Sequence, residues 1–202
     1  MQTFDFIYLA SQSPRRRQLL EQLGVCHELL LPGAEEDAEA LEDEISGELP
    51  AEYVERVTWA KLAAARERLR ARALPEAPVL CSDTTVALGR RILGKPRDAT
   101  AAHATLRLLS GRTHRVITAV ALANGPRQQL MVNVSHVHFA SIPEADIHRY
   151  VESGEPFGKA GAYAIQSAAA AWIDRIDGSY SSIMGLPLYE TAHLLRQARV
   201  KF

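Results

Sequence analysis

Three arginines stand together at Arg15-Arg16-Arg17, just after Ser11, Ser13 and Pro14. Ser13 offers a helix N-cap and Pro14 suits the first helical position, so these cations fall in a first turn where the helix dipole already presents positive charge. Each charge so placed costs about 0.3–1 kcal/mol, and a broken local rule often marks a functional site. A polyanion docked on the helix N-terminus resolves the conflict, because free N–H groups, the hydroxyls of Ser11 and Ser13 and guanidinium forks converge on phosphate oxygens. The same run also reads as a solvated basic turn.

Asp83 lies between two β-rich apolar segments, which predicts an acid at a strand end. A carboxylate there can hold Mg²⁺ or take a proton from an attacking water; it can equally be a turn-former bonding its own backbone. Lys95, between Gly94 and Pro96, is a phosphate-pairing lysine or an exposed turn lysine. The run Gly158-Lys159-Ala160-Gly161-Ala162-Tyr163-Ala164-Ile165-Gln166 combines small residues, which let a ligand approach the backbone, with a Gln amide that can both donate to and accept from a base edge. It also reads as the tightly packed start of a strand. His136 and His138 alternate on one strand face and could join His114 on a metal, yet no third ligand has diagnostic spacing, and an exposed hairpin face accounts for them better. The dinucleotide, P-loop and nucleophilic-Ser signatures are absent.

The elements that must position these groups alternate between strand and helix, which predicts an α/β class with a mixed sheet. Phe6–Ala10 reads as a buried strand, followed by the helix from Ser13 that Gly24 closes. Glu35 to Glu48 holds acids and no base and reads as a solvated loop. A long helix is predicted over Tyr53–Arg72, strand segments over Val79–Ser82 and Val86–Leu88, and a helix capped by Asp98 and running to Leu109. A hairpin follows from Thr113–Ala123 and Gln128–Ala140 around Asn124-Gly125-Pro126. Pro143 starts a short helix that Gly154 stops, Trp172–Ile176 reads as a strand and Pro187–Val200 as a terminal helix.

Composition bounds the rest. The chain has 202 residues, 47% of them hydrophobic, which excludes a disordered tail and fits one domain over 1–202. With 23 Lys plus Arg against 24 Asp plus Glu the net charge is −1, so no bulk field drives nucleic-acid binding and any anion site is built locally. Two cysteines do not make a disulfide scaffold, no apolar run reaches membrane length and no export signal is visible. A soluble cytoplasmic protein is expected.

In order along the chain, Ser11-Gln12-Ser13-Pro14-Arg15-Arg16, Tyr53-Val54-Glu55-Arg56 through Lys61, Asp83-Thr84, Gly94-Lys95-Pro96, Leu109-Ser110-Gly111, Lys159 to Gln166, and Gly178-Ser179-Tyr180 to Leu188 resemble the motifs of the Maf family of nucleoside triphosphate pyrophosphatases. The resemblance spans nearly the whole chain. It implies a fold like that of inosine triphosphate pyrophosphatases, an elongated mixed sheet with flanking helices and two lobes around a cleft, often as a homodimer. It implies hydrolysis of a nucleoside triphosphate to the monophosphate and pyrophosphate with a divalent cation, Mg²⁺ or Mn²⁺. By position it implies that Ser11, Arg15, Arg16, Lys61 and Lys95 grip the triphosphate, Glu36 and Asp83 serve the metal and the water, Asp83 is the proton acceptor, and Gln166 meets the base.

Arg15, Thr84 and Gln166 match the branch of that family acting on dTTP and UTP, where the branch similar to 7-methyl-GTP pyrophosphatases has Trp, Gln and Glu. A methylated purine carries positive charge on which Trp stacks and with which Glu pairs, whereas a neutral pyrimidine edge suits Gln. Gln12, Ala164, Ser167 and Trp59 depart from the usual pattern and bear on base fit. A competing class of function is a non-catalytic regulator of cell division that binds nucleic acid or protein; the even charge balance speaks against it.

Overall fold

Apolar runs bounded by Gly, Pro and Asp build the sheet in this computed structural model, which describes residues 3–37 and 39–202. The first run forms β1 (Ile7–Leu9), buried throughout, and leads into α1 (Pro14–Gln22). Gly24, at φ +73°, ends that helix as expected, and β2 (His27–Leu29) returns parallel to β1. The long helix α2 (Pro50–Ala71) starts three residues earlier than its apolar pattern predicts. Pro50 takes the first helical position and the Leu49 N–H donates to Glu52 Oε2 at 3.1 Å, closing the N-terminus there.

Val79–Leu88 is one continuous ten-residue strand, β3. Asp83 therefore sits in mid-strand, where flanking β-branched residues carry the ladder through it, rather than at a strand end between two segments. β4 (Arg91–Leu93) folds back on the end of β3, and α3 (Ala99–Leu109) is capped by Asp98, whose Oδ1 accepts from the Ala101 N–H at 2.7 Å. The predicted hairpin forms as β5 (Thr113–Asn124) and β6 (Arg127–Phe139), roughly 40 Å long at about 3.4 Å per residue. Gly125, at φ +57°, makes its two-residue turn, and Pro126 lies in the turn where no ladder bond is lost.

Next come α4 (Glu144–Glu152), β7 (Ile173–Asp177), the short α5 (Tyr180–Met184) and α6 (Leu188–Gln197). The predicted terminal helix is shorter than its apolar pattern because Arg199 turns to φ +60° and Val200 bridges Phe4 beside β1. The strand order is β2-β1-β3-β5-β6-β7, with β4 on β3. The sheet is mixed: β1 is parallel to β2 and β3, and the β3, β5, β6 and β7 pairs are antiparallel. Period-two alternation divides its two faces. Cys81, Ile117, Ala119 and Ala121 meet α2, while Leu80, Val116, Val120 and Val137 join the core shared with α1, α3, α4, α5 and α6.

Candidate active site

One edge of β3 is divided. β1 pairs with Val79 and Leu80, β4 pairs with Val86 to Leu88, and among the described residues no strand lies beside the positions between them on that edge. A cleft of about 440 Å³ opens at this break. Its walls include Ser11, Arg15, Arg16, Lys61, Asp83, Thr84, Lys95 and Gln166, so the fold gathers residues spread over more than 150 positions of sequence. Successive residues of one strand face opposite ways: Asp83 faces α2, whereas Ser82 and Thr84 face α5 and β5, where Ser82 Oγ donates to the Gly185 carbonyl and Thr84 Oγ1 lies 3.0 Å from Thr118 Oγ1.

At the centre, Lys61 reaches from α2 to Asp83. Its Nζ lies 2.6 Å from Asp83 Oδ1 and 2.7 Å from Glu42 Oε1. The other Glu42 oxygen, Oε2, accepts from Lys95 Nζ at 2.6 Å. Burial alone would raise the Glu42 pKa, but the two ammonium groups outweigh it and hold the carboxyl below its ordinary value. Asp83 itself is 6% exposed.

The three arginines separate. Arg17 lies outward, 3.6 Å from Glu21 one turn on. Arg16 folds inward: its Nε donates to the Gly185 carbonyl at 2.8 Å and its Nη1 to Ser11 Oγ at 3.4 Å. Burial lowers its pKa, with Asp83 the largest opposing influence. Gly185 ends α5 at φ +117°, a conformation that favours glycine. Arg15 remains half-buried on the cleft wall, and the Ser13 hydroxyl makes no capping bond. Of the residues expected to meet an anion, Ser11, Ser13, Arg15 and Arg16 line the cleft and Arg17 does not.

Glu36 does not join Asp83. Its carboxylate accepts from Arg68 Nε at 2.9 and 3.1 Å, from Arg68 Nη2 at 2.6 Å and from the Gly33 N–H at 2.9 Å. Those bonds draw its pKa down to about 2, the Arg68 hydrogen bond contributing most. Glu36 therefore pins its loop to α2, and the second carboxylate beside Asp83 is Glu42. Sequence reasoning missed Glu42 because it lies in a run of acids that nothing local tells apart; only the spacing of Lys61 and Lys95 in the folded chain singles it out. The solvated loop expected at Glu35–Glu48 is in this respect part of the site.

Gln166 is exposed on the cleft wall, following buried Tyr163, Ala164 and Ile165. Gly161, at φ +69°, brings that segment against β3, and a Cβ there would stand 2.8 Å from Val86 Cγ1. His114 is buried, with Nε2 2.7 Å from the Tyr163 hydroxyl, while His136 is exposed and His138 Nδ1 meets Asp174. His114 pairs with Val137 across the ladder and so faces away from His136 and His138; these three form no ligand group.

The Maf-like protein family matches residues 6–198. The chain belongs to the Maf family. Among curated relatives, the dTTP/UTP pyrophosphatase of Cupriavidus pinatubonensis is 59% identical over 198 residues, covering 98% of this chain and 99% of the relative. That of Albidiferax ferrireducens is 60% identical over 192 residues, covering 95% and 96%. The Burkholderia pseudomallei protein of the same name is 59% identical over 202 residues, covering 99% and 97%. Among solved structures, the Staphylococcus aureus Ham1 protein shows a slight likeness, TM-score 0.39 at 16% identity over 66% of this chain and 71% of that one. In this Maf-family chain no helix among the described residues is long and apolar enough to cross a membrane.

Proposed function

We propose that this chain hydrolyses dTTP and UTP, each with one water, to the nucleoside monophosphate and pyrophosphate. The observation that carries the reading is the meeting of the α1 N-terminus, Lys61, Lys95, Asp83 and Glu42 at one break in the sheet. The names of the relatives, at 59–60% identity over nearly the full chain, support the two substrates. Ser11, Arg15 and Arg16 offer hydroxyl, guanidinium and helix N-terminal donors to phosphate oxygens. Lys61 and Lys95 lie where they can neutralise charge on the departing pyrophosphate, once substrate phosphate takes over part of their pairing with Glu42. Asp83 accepts the proton of the attacking water as the new O–P bond forms. The bond from that phosphorus to the α–β bridging oxygen breaks, and pyrophosphate leaves with the electron pair.

Asp83 and Glu42 present hard carboxylate oxygens on either side of Lys61, a donor set that suits Mg²⁺ or Mn²⁺. Such a cation, when bound, neutralises phosphate charge and lowers the pKa of water. Glu36 takes the part of a loop anchor in this reading. Gln166 and Thr84 also line the cleft, and in this reading they meet the base, where the Gln amide can pair with both donor and acceptor of a uracil or thymine edge. A panel of canonical nucleotides, assayed for pyrophosphate release with Mg²⁺ and with Mn²⁺, is expected to give fastest turnover with dTTP and UTP. Faster turnover of a purine nucleotide overturns the pyrimidine assignment; no turnover, with salt-sensitive DNA binding, overturns the enzyme in favour of the regulator.

A further inference from the structure

His103 on α3 and Glu144 and His148 on α4 stand away from the cleft, and none of them lines it. One ring nitrogen of each histidine and one carboxylate oxygen of Glu144 all lie within 4.8 Å of one another. We propose that these three side chains form a second metal site, for a divalent cation of the zinc class, that straps α3 to α4.

Glu144 and His148 are four residues apart on α4 and therefore share a face; His148 Nε2 lies 3.3 Å from Glu144 Oε1. The His103 ring packs across from α3 with its centroid 4.5 Å from that of His148, tilted by 57°. His103 Nδ1 is buried and has no hydrogen-bond partner among the described residues, so this ring is not held by another polar group through that nitrogen. Two imidazoles and a carboxylate make a borderline donor set that favours Zn²⁺, Ni²⁺ or Cu²⁺ over the all-oxygen preference of Mg²⁺. Bonds of about 2.0–2.2 Å in tetrahedral geometry put donor atoms roughly 3.3–3.6 Å apart. The group must therefore contract by about an ångström, which side chains of 54% and 51% exposure at His148 and Glu144 can do by rotation.

Arg107 donates to both oxygens of Glu144, through Nε at 3.0 and 3.1 Å and through Nη2 to Oε1, so it fixes the carboxylate and a bound cation shares that carboxylate with the guanidinium. Three protein ligands leave a fourth position to water. The consequence of occupancy is mechanical. Helix α3 packs against both α4 and the turn at Ala160–Ala162, the segment that carries Gln166 to the cleft, so a strap between the helices stiffens that wall without entering the reaction.

The test uses the full chain, stripped of metal and without nucleotide, titrated calorimetrically with Zn²⁺ alone. Asp83→Asn is the reference, since it weakens binding at the cleft; it is expected to keep one equivalent of Zn²⁺ and to melt at higher temperature when that equivalent is bound. Adding His148→Ala should remove the equivalent, or weaken it by more than about tenfold, and abolish the rise in melting temperature. His148→Ala alone should leave pyrophosphate release from dTTP with Mg²⁺ unchanged. Undiminished Zn²⁺ binding in the double variant overturns the site, as does an Asp83→Asn protein that takes up none. His103→Ala gives a second test from the other helix and must reproduce the loss.

Discussion

Arg16 Nε donates to the carbonyl oxygen of Gly185 at 2.8 Å, tying the first turn of α1 to the end of α5. Ser82 Oγ donates to the same oxygen at 3.0 Å, so β3 is part of the knot. A charge that opposes the helix dipole is thus also a structural donor, and the two effects have opposite signs. Relief of the dipole conflict is worth about 0.3–1 kcal/mol. A hydrogen bond from a charged group is worth about 1.5–3 kcal/mol.

The hydrogen bond outweighs the dipole and decides the outcome for Arg16→Ala. The free protein should lose about 1–2 kcal/mol of stability in urea titrations, contrary to what the dipole argument from sequence alone predicts. Turnover should fall as well, because the same guanidinium lines the cleft. An apo protein more stable than the parent would show that the Gly185 contact contributes little.

Asp83→Asn keeps the shape of the side chain and removes its capacity to take a proton. Lys61 retains Glu42 at 2.7 Å as an ion-pair partner, so no ammonium is stranded and the fold should survive. Loss of a general base lowers turnover by about 10²–10⁴-fold. Circular dichroism matching the parent together with dTTP hydrolysis at the parent rate would remove Asp83 from the reaction.

Much of this was legible in the chain because it depends on local rules. Pro14 and Gly24 bracket α1, Asp98 caps α3, and Gly125 turns the hairpin, each through chemistry confined to a few residues, whereas the cap expected of the Ser13 hydroxyl does not form. The break in the edge of β3 was not legible, because it arises from two partners, β1 and β4, that claim different lengths of one strand. The site shows the same division. Arg15, Arg16, Asp83, Lys95 and Gln166 stood out by type and setting, whereas Lys61 needed the family resemblance and Glu42 needed the folded loop. Glu36 came from the resemblance too, and its attachment to Arg68 crosses 32 positions of sequence, a pairing that no periodicity records.

Gln166→Glu tests the base contact separately from the phosphate cradle. An ionised Glu can only accept, so a pyrimidine carbonyl loses its donor and a charge is added near the triphosphate. An unsatisfied polar group costs about 1–3 kcal/mol, equivalent to roughly one to two decades in kcat/KM for dTTP and UTP. Inhibition by free pyrophosphate, which touches only the cradle, should change far less. Equal losses for nucleotide and pyrophosphate would place Gln166 outside the base site.

The acid sensitivity of the fold should trace in part to His114, which is 2% exposed beneath the cleft wall. Its Nε2 meets the Tyr163 hydroxyl at 2.7 Å, its ring packs edge-on to Phe139 at 5.1 Å, and its Nδ1 is buried without a partner. Burial, with a smaller contribution from His138, pushes its pKa down to about 4. The unfolded chain takes up this proton near the ordinary value of about 6.5. Between those two values the unfolded state therefore binds more protons than the native state, and stability falls as pH falls. The contribution is complete above about pH 6.5 and is lost progressively toward pH 4, at a limiting slope of about 1.4 kcal/mol per pH unit. His114→Gln keeps a polar partner for Tyr163 but cannot titrate. Whatever its stability at neutral pH, urea midpoints measured from pH 7 to pH 5 should fall less steeply for the variant than for the parent. Parallel curves over that window would mean that the native ring accepts a proton as readily as the unfolded one, and the burial of a neutral His114 would then fail as an account of acid unfolding.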